Sequence, residues 1–473
     1  MSLTRSIIGN AATQVLGKFA GTAIALVTVG IMTRHLKPEG YGAFTTVISY
    51  LQFFGTIVDF GLTLTMIRMI SEAGADEKKV ASNILSIRVA SGAFFFGVAP
   101  LIALFFPYSG QVKAGIGIAA VSYLCIALSQ VLIGVFQKHL AVRLSAAAEI
   151  GGRLVFLAGT IFAAVTGAGL TAYIVALTVG NLAQFVLSVI FVRRLVPIRL
   201  EFDLPLWKKI FSQSWPIGIS IVFNLIYLKG DVLVLSLYRP AAEIGLYGAA
   251  YKVLDVITVV PMIFMGISLP VLTKAWTSGN RVDFSWKLGR AFDFLAMLAV
   301  PLAFGTYLVA DDLMALAAGA DFRTSGQYLT ILMIAGAAVF WSGLFGHAAV
   351  ALNLQRKMIW AYAADALLSL PLYFLLVPRY GAPAAAWVTV FSEVFITVVT
   401  AAVVLTYTRT RIRLGTFWRA ALASALMSGC IFALGPLPVL ARLFSGIAVY
   451  GALLCLFGAV TKDMLRSFFP RKV

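Results

Sequence analysis

The sequence predicts an all-α polytopic membrane protein with about 14 transmembrane helices. Of its 473 residues, 61% are hydrophobic and only 12% are charged, and the mean hydropathy is +0.95. Soluble globular domains are closer to half apolar and a quarter charged, so a soluble fold of this length would lack polar surface. Lipid is therefore the expected solvent, and each segment that crosses it must satisfy its own backbone hydrogen bonds as a helix.

Fourteen apolar segments are long enough to cross a bilayer, because a hydrocarbon core of about 30 Å needs about 20 helical residues. The first six cover residues 8–33, 41–66, 81–106, 114–136, 142–166 and 169–192. The next six cover residues 210–237, 244–272, 286–309, 324–351, 358–378 and 383–407. The last two cover residues 417–436 and 439–460. Residues 1–10 lack a signal-peptide pattern, so we expect the first span to be retained.

Lysine and arginine residues are distributed unequally between the two sets of predicted loops. Of the 37 such residues, 24 lie on the side of the N-terminus and 7 lie on the opposite side. Cytoplasmic loops of membrane proteins carry an excess of Lys and Arg. The asymmetry predicts an even number of spans with both termini in the cytoplasm. It also accounts for the net charge of +18, so no nucleic-acid partner is predicted.

Three short motifs recur six spans apart and predict an internal repeat. Tyr41-Gly42-Ala43 matches Tyr247-Gly248-Ala249, residues 145–149 match 361–365, and residues 167–173 match 381–387. Because six is even, the two copies have the same orientation in the membrane. The predicted domains are a six-helix lobe at 1–194, a cytoplasmic linker at 195–209, a second six-helix lobe at 210–408, and two additional spans with a cytoplasmic tail at 409–473. Chance similarity between Ala- and Gly-rich helices is the alternative.

Thirteen charged residues lie inside the predicted spans. Each costs about 2.5–3.5 kcal/mol at membrane depth, so the sequence predicts a polar interior or a water-filled cavity. The bases are Lys18, Arg88, Arg153, Lys229, Lys252 and Arg290. The acids are Asp59, Glu149, Asp231, Asp255, Asp293, Asp365 and Glu393.

Some of these charges have a partner one helical turn away, and others do not. Spacings of three or four residues would let certain pairs neutralise each other. These pairs are Glu149 with Arg153, Lys252 with Asp255, and Arg290 with Asp293. The residues without a local partner include Lys18, Asp59, Arg88, Asp365 and Glu393. Lys18 lies about 15 Å into its span at 1.5 Å per residue, near the middle of the bilayer.

Two motifs in the first spans resemble those of the polysaccharide transporters. The stretch Arg34-His35-Leu36-Lys37-Pro38-Glu39-Gly40-Tyr41-Gly42 is similar to the family's L-G-P-E-x-[YF]-G signature between the first two spans. It departs from the signature at Lys37, where glycine is common. Val58-Asp59-Phe60-Gly61-Leu62 resembles the family's D-x-G end of the second span. The family comprises O-antigen and exopolysaccharide flippases and is related to the MATE exporters and lipid II flippases.

This resemblance implies a MATE-like fold of two lobes with parallel six-helix repeats, two C-terminal helices and a central cavity. It implies a flippase that moves undecaprenyl-diphosphate-linked oligosaccharide from the inner to the outer leaflet of the bacterial plasma membrane, for polysaccharide biosynthesis. The implied partners are this glycolipid, membrane lipids, a polysaccharide polymerase and a chain-length regulator. Cations suit a diphosphate, so the candidate substrate-binding residues are Lys18, Arg88, Arg153, Lys229 and Lys252. The candidate ion carriers are Asp59, Asp365 and Glu393.

Three other functions stay open. A lipid II flippase and a cation-coupled small-molecule exporter would share the fold. A membrane glycan polymerase or ligase would need a sizeable loop on the outer side, and the longest predicted one, near Asp311 to Arg323, has about a dozen residues. No ATP-binding G-x-x-x-x-G-K-[ST] loop and no metal-ligand spacing are found in the sequence, so we predict neither a cofactor nor an enzyme.

Overall fold

The computed structural model describes residues 3–72, 74–435 and 437–460. For residues 3–16, 220 and 224–228 only the helical backbone is described. The predicted cytoplasmic tail after residue 460 lies outside the described residues. Within them, the chain forms fifteen α-helices and one short 3-10 turn.

The helices follow one another with short connections. In the first half, α1 covers Leu3–Asp59, α2 Leu62–Ser71, α3 Glu77–Ala103, α4 Gly110–Lys138, α5 Val142–Val165, α6 Leu170–Val192 and α7 Leu204–Tyr238. In the second half, α8 covers Ala241–Ile257, α9 Val259–Thr277, α10 Arg281–Ala318, α11 Ser325–Ala351, α12 Gln355–Tyr380, α13 Ala382–Thr408, α14 Gly415–Ala433 and α15 Val439–Leu456. The 3-10 turn covers Ala320–Phe322.

The predicted all-helical membrane architecture is confirmed. Twelve helical stretches in the described part of the chain are long and apolar enough to cross a membrane. The first of them, Gly17–Ser71, contains the second predicted span and residues 17–33 of the first. Another, Ala241–Thr277, joins α8 and α9 and contains the eighth predicted span. The seventh predicted span lies in α7.

Helix α1 is broken at Lys37, which separates the first two spans. Lys37 has φ 59° and ψ 177°, and Pro38 follows it. A residue before proline is disfavoured in the α conformation, and proline removes a backbone donor from the helix. The conformation of Lys37 is one that glycine adopts readily and that other residues adopt at a cost of about 1–3 kcal/mol. This is the position at which the resembling family commonly has glycine.

Replacing Lys37 with glycine is expected to raise the free energy of unfolding by up to about 1 kcal/mol. The substitution removes the backbone strain. It also removes the ion pair from Lys37 Nζ to Asp321 Oδ2, at 2.6 Å, which is largely exposed and therefore contributes little. Thermal unfolding of the purified protein in detergent measures the effect. Lys37→Ala is the control, because alanine keeps its Cβ and should not stabilise; equal destabilisation by both variants would contradict the expectation.

Two other helices differ in length from their predicted spans. The eighth span is divided at Thr258, three residues before Pro261, because this proline cannot donate to the carbonyl one turn earlier. Helix α10 continues to Ala318, so the predicted outer loop near Asp311 to Arg323 is mostly helical. The connection between α10 and α11, on the predicted outer side, is therefore shorter than the sequence predicted.

The helices form two compact units. The N-terminal unit comprises Met1–Gly248, Ala317–Asp321 and Tyr373–Gly381, and the C-terminal unit comprises Ala249–Leu316, Phe322–Leu372 and Ala382–Val473. Buried apolar residues of α1, α3, α4 and α6 form a core in the first unit around Val47, Leu51 and Ile116. Residues of α9, α10, α11 and α13 form a core in the second around Leu288 and Phe340. The lobe boundaries expected from the repeat stay a prediction.

Matched positions of the repeat share one backbone feature. Gly167 follows α5 and Gly381 follows α12, and their φ angles are 68° and 67°. Positive φ favours glycine because it has no Cβ to clash with the backbone. The same left-handed turn therefore precedes α6 and α13, as expected for two copies of one structural unit.

The predicted orientation can be tested by reporter fusions. Fusions after Lys113, Gly167, Arg239, Arg323 and Arg379 should all report the side opposite to the termini. The physical reason is the 24-to-7 distribution of bases, which favours retention of the basic loops in the cytoplasm. Alkaline phosphatase activity in cells measures the result. Two or more fusions reporting the cytoplasm would overturn the span assignment.

Candidate functional site: charged residues within the helical units

Asp59 and Arg88, which have no local partner in the sequence, form an ion pair in the N-terminal unit. Arg88 Nη2 donates to Asp59 Oδ1, and it also donates to Thr63 Oγ1 at 2.6 Å. The Arg88 side chain has no solvent exposure. The pair joins the end of α1 to α3, so each charge is neutralised by the neighbouring span rather than by its own helix.

The Asp59 carboxylate also accepts hydrogen bonds across the break between α1 and α2. Its Oδ1 accepts from Thr63 Oγ1 at 2.5 Å, and its Oδ2 accepts from the Gly61 N–H at 3.3 Å. Phe60 and Gly61 both have positive φ, 35° and 77°. The D-x-G motif is thus the turn at which the second span changes direction, with the aspartate satisfying donors at the start of α2.

Lys18, Glu149 and Arg153 lie at the contact between α1 and α5. Arg153 Nη2 donates to Glu149 Oε1 at 2.7 Å, which is the pair expected from their spacing. Arg153 Nη1 donates to the Gly21 carbonyl at 2.6 Å. Lys18 lies one turn earlier on α1 and is exposed. Arg153 is therefore held in a fixed network, and Lys18 is an exposed cation three residues before Gly21 on α1.

Gly21 permits this arrangement. A Cβ at Gly21 would lie 3.3 Å from the guanidinium carbon of Arg153. At Gly17, a Cβ would lie 3.2 Å from the Cβ of Ala146 on α5. The two glycines bring the backbone of α1 close to α5 on either side of Lys18.

On α7, Lys229 and Asp231 face different environments. Lys229 is half-buried, whereas Asp231 is fully buried. Asp231 accepts a hydrogen bond from the Tyr247 hydroxyl at 2.6 Å and another from the Val232 N–H at 2.7 Å. Tyr247 belongs to the second copy of the repeated Tyr-Gly-Ala motif. The repeated motif therefore provides a hydrogen-bond partner for Asp231, which has no oppositely charged residue three or four positions away on α7.

In the C-terminal unit, Lys252 pairs with Asp255 on α8. The distance from Lys252 Nζ to Asp255 Oδ2 is 3.2 Å, and both side chains are more than a third exposed. This is the i,i+3 pair that the sequence indicates. An exposed ion pair is weak, so the lysine can exchange its partner for another anion at little cost.

Asp365 and Glu393 are buried acids of the C-terminal unit. Ser392 Oγ on α13 donates to Asp365 Oδ2 at 2.6 Å, and Ser342 Oγ on α11 donates to Glu393 Oε2 at 3.5 Å. Neither carboxyl has a basic partner among the residues that the structure describes. Sequence reasoning selected both acids but missed the serines, because hydroxyl groups in apolar helices are too common to stand out.

The three candidate ion carriers, Asp59, Asp365 and Glu393, differ in whether a basic side chain neutralises them. The Asp59 charge is neutralised by Arg88, whereas within the described part of the chain Asp365 and Glu393 each accept a hydrogen bond from a serine hydroxyl and have no basic partner. A buried carboxylate without a countercharge is costly, and binding a proton or a metal cation removes the cost. Asp365 and Glu393 therefore differ from Asp59 in having no countercharge among the residues that the structure describes.

The sequence matches one protein family and resembles several curated proteins. A family described as "Polysaccharide biosynthesis protein" matches residues 7–276. A protein named "Probable low-salt glycan biosynthesis flippase" from Haloferax volcanii is 20% identical over 468 residues, covering 94% of this chain and 95% of its own. A protein named "Succinoglycan biosynthesis transport protein" from Rhizobium meliloti is 23% identical over 397 residues, covering 76% of this chain and 78% of its own.

Solved structures with the same fold come from two groups of transporters. A lipid II flippase in an inward closed conformation matches with a TM-score of 0.78 and 15% identity, covering 96% of this chain and 99% of that one. An inward-facing MATE multidrug transporter matches with a TM-score of 0.67 and 13% identity, covering 82% and 94%. These likenesses confirm the predicted MATE-like fold.

Proposed function

Because the chain belongs to the polysaccharide biosynthesis protein family, we propose that it is a flippase for a lipid-linked oligosaccharide. The proposed cargo is an oligosaccharide joined through a diphosphate to undecaprenol, moved from the inner to the outer leaflet of the bacterial plasma membrane. One observation carries the proposal: two relatives that each align with more than three quarters of this chain are named for glycan flipping or glycan transport.

Two alternatives share the fold and differ in cargo. They are a lipid II flippase and a cation-coupled small-molecule exporter, and their likeness to this chain extends to the fold alone. A membrane glycan polymerase or ligase has less support, because the connection after α10 is short and mostly helical. The family match favours the oligosaccharide lipid over all three.

The proposed role of the cations is to bind the diphosphate. Lys18 is exposed on α1, three residues before Gly21, and the Arg153 guanidinium is held by Glu149 and the Gly21 carbonyl. An ammonium and a planar guanidinium together suit a group with several negative oxygens. Lys229 and Lys252 are further candidates. Arg88 is assigned a structural role instead, because it is buried against Asp59.

Replacing Lys18 with alanine is expected to reduce glycan export at least about tenfold, because a hydrogen bond to a charged group contributes about 1.5–3 kcal/mol. Labelling of surface glycan in cells lacking the native copy measures export, and an immunoblot of the membrane fraction checks the protein level. Lys18→Arg should retain most export, and Phe19→Ala, at the next exposed position, should retain nearly all of it. Normal export by Lys18→Ala would remove Lys18 from the binding set.

The energy for transport is proposed to come from the membrane. The sequence has no ATP-binding loop, and a potential that is negative inside favours outward movement of an anion by about 2.3 kcal/mol per charge per 100 mV. Counter-movement of a proton or sodium ion on Asp365 or Glu393 would add a second contribution. Consumption of the flipped lipid by a polymerase, acting with a chain-length regulator, would pull the process further.

Depletion of the protein in cells tests the proposal. We expect the lipid-linked oligosaccharide to accumulate in the inner leaflet, where a membrane-impermeant lectin cannot reach it from outside. If single repeats reach the outer leaflet and only the polymer is lost, the protein is a polymerase or ligase. If peptidoglycan synthesis stops instead, its cargo is lipid II. If neither glycan changes while drug sensitivity rises, the exporter assignment replaces the proposal.

A further inference from the structure

The segment from the end of α6 through the first two turns of α7, residues 193–209 and here called the linker, is docked along α3. The backbone N–H groups of Arg199, Glu201 and Asp203 donate to α3 side chains at 3.2, 2.9 and 2.8 Å. The acceptors, in the same order, are Ser82, Ser86 and Asn83. All three acceptor residues are fully buried, and every second residue from Arg199 to Asp203 is bonded to α3.

The end of the linker is fixed by two further contacts. Asp203 Oδ2 pairs with Lys79 Nζ at 2.6 Å, and the hydrogen bond from Lys79 lowers the pKa of the Asp203 carboxyl, with the Leu206 N–H adding to the effect. The indole N–H of Trp207 donates to Asn83 Oδ1 at 3.0 Å. The linker therefore has a defined face toward the protein and a defined face away from it.

Large apolar side chains occupy the outward face. Leu200, Phe202 and Leu204 alternate with the bonded residues and are 55%, 72% and 73% exposed. The Phe202 ring is tilted against Trp207, with 5.8 Å between the ring centres. The backbone bonds to α3 on one face, and three exposed apolar side chains at a spacing of two form a ridge on the other. Exposure of this apolar surface to water is unfavourable.

Exposed bases flank this ridge on both sides. They are Arg193, Arg194, Arg199, Lys208 and Lys209. The acids of the segment are Glu201, which is half-buried, and Asp203, which is already paired with Lys79. The linker thus combines an apolar ridge with a strong excess of positive charge, and it lies directly after a helix long and apolar enough to cross the membrane.

We propose that the linker binds the surface of the membrane through anionic phospholipid headgroups. The five bases contact the phosphates, and Leu200, Phe202 and Leu204 insert among the upper parts of the acyl chains. With the predicted orientation, the leaflet is the cytoplasmic one, which carries anionic lipid. This inference goes beyond the proposed function, because it concerns bulk phospholipids and does not depend on which cargo is moved.

Spin labels along the linker test the insertion. Single cysteines replace Glu201 and Phe202 in a background with Cys125→Ala, Cys430→Ser and Cys455→Ser, in nanodiscs of phosphatidylcholine with phosphatidylglycerol. Collision with oxygen should dominate at 202, and collision with an aqueous nickel chelate should dominate at 201. Equal nickel accessibility at both positions would place the ridge in water and overturn the proposal, leaving a soluble protein partner as the explanation of the ridge.

The headgroup preference is tested by native mass spectrometry of the full chain. Arg193→Gln with Arg194→Gln should retain phosphatidylglycerol less well, on the order of fivefold per base removed. Arg356→Gln with Lys357→Gln is the matched control, because these are also adjacent exposed bases on the predicted cytoplasmic side. An equal loss in both variants would mean that general positive charge, and not the linker, holds the lipid. If a charge variant folds poorly, the spin-label measurement at positions 201 and 202 still tests membrane insertion, because those two variants keep all five bases.

Discussion

Replacing Asp59 with alanine is expected to lower the free energy of unfolding by about 3–5 kcal/mol. The substitution leaves Arg88 as an unpaired charge with no solvent exposure, and removing one partner of a buried ion pair has a cost of that size. It also removes the acceptor for Thr63 and for the Gly61 N–H at the break before α2. Thermal unfolding of the purified protein in detergent measures the change.

Two controls separate this structural role from ion transport. Glu149→Ala removes a carboxylate from a half-exposed pair and should cost about 0–1 kcal/mol. The double variant Asp59→Ala with Arg88→Met removes both buried charges and should recover part of the lost stability. A stable Asp59→Ala protein whose transport no longer responds to an ion gradient would instead make Asp59 an ion carrier.

Replacing Gly245 with valine is expected to prevent the described packing of α8 on the second half of α1. A Cβ at Gly245 would lie 1.9 Å from the Pro38 carbonyl oxygen, and one at Gly42 would lie 1.7 Å from the Ala241 carbonyl oxygen. Backbone atoms cannot move aside as a flexible side chain can. We expect the free energy of unfolding to fall by about 1–3 kcal/mol, the usual cost of overpacking, and we expect export to be lost.

Gly97→Ala is the matched control for these substitutions. Gly97 is exposed on α3, and a Cβ there would meet nothing within 4 Å. Alanine in a helix is favoured over glycine by about 0.5–1 kcal/mol, so this variant should be slightly more stable. Wild-type stability and export in Gly42→Ala and Gly245→Ala would contradict the close crossing of α1 and α8.

The spans were predictable from sequence because lipid imposes a simple rule. About 20 apolar residues are needed wherever the chain crosses, so hydropathy along the chain places most helices to within about five residues. Helix α10 is an exception, since it ends at Ala318 and its predicted span ends at 309. The break at Lys37 falls between the first two predicted spans, 8–33 and 41–66, and Pro38 supplies its physical reason. The serines that contact Asp365 and Glu393 gave no signal, since serine is ordinary in membrane helices.

The Asp59–Arg88 pair shows why buried charges are harder to assign than spans. Helical spacing finds partners one turn away, as it did for Glu149 with Arg153, but it is silent on neighbours from another helix. A signal did exist: Asp59 near the end of the second span and Arg88 near the start of the third lie at similar depths from the same face. Opposite charges at matching depths in consecutive spans are natural partners. The linker gave no comparable signal, because three of its hydrogen bonds to α3 come from backbone N–H groups.

Flipping in proteoliposomes tests the central claim most directly. Purified protein is reconstituted with fluorescent undecaprenyl-diphosphate-linked oligosaccharide, and an impermeant quencher reports how fast the lipid changes leaflet. We predict protein-dependent movement that an imposed potential or ion gradient accelerates, and that Asp365→Asn makes insensitive to the ion gradient if this acid carries the ion. No movement above protein-free vesicles, while lipid II or a cationic drug is moved by the same preparation, would contradict the account.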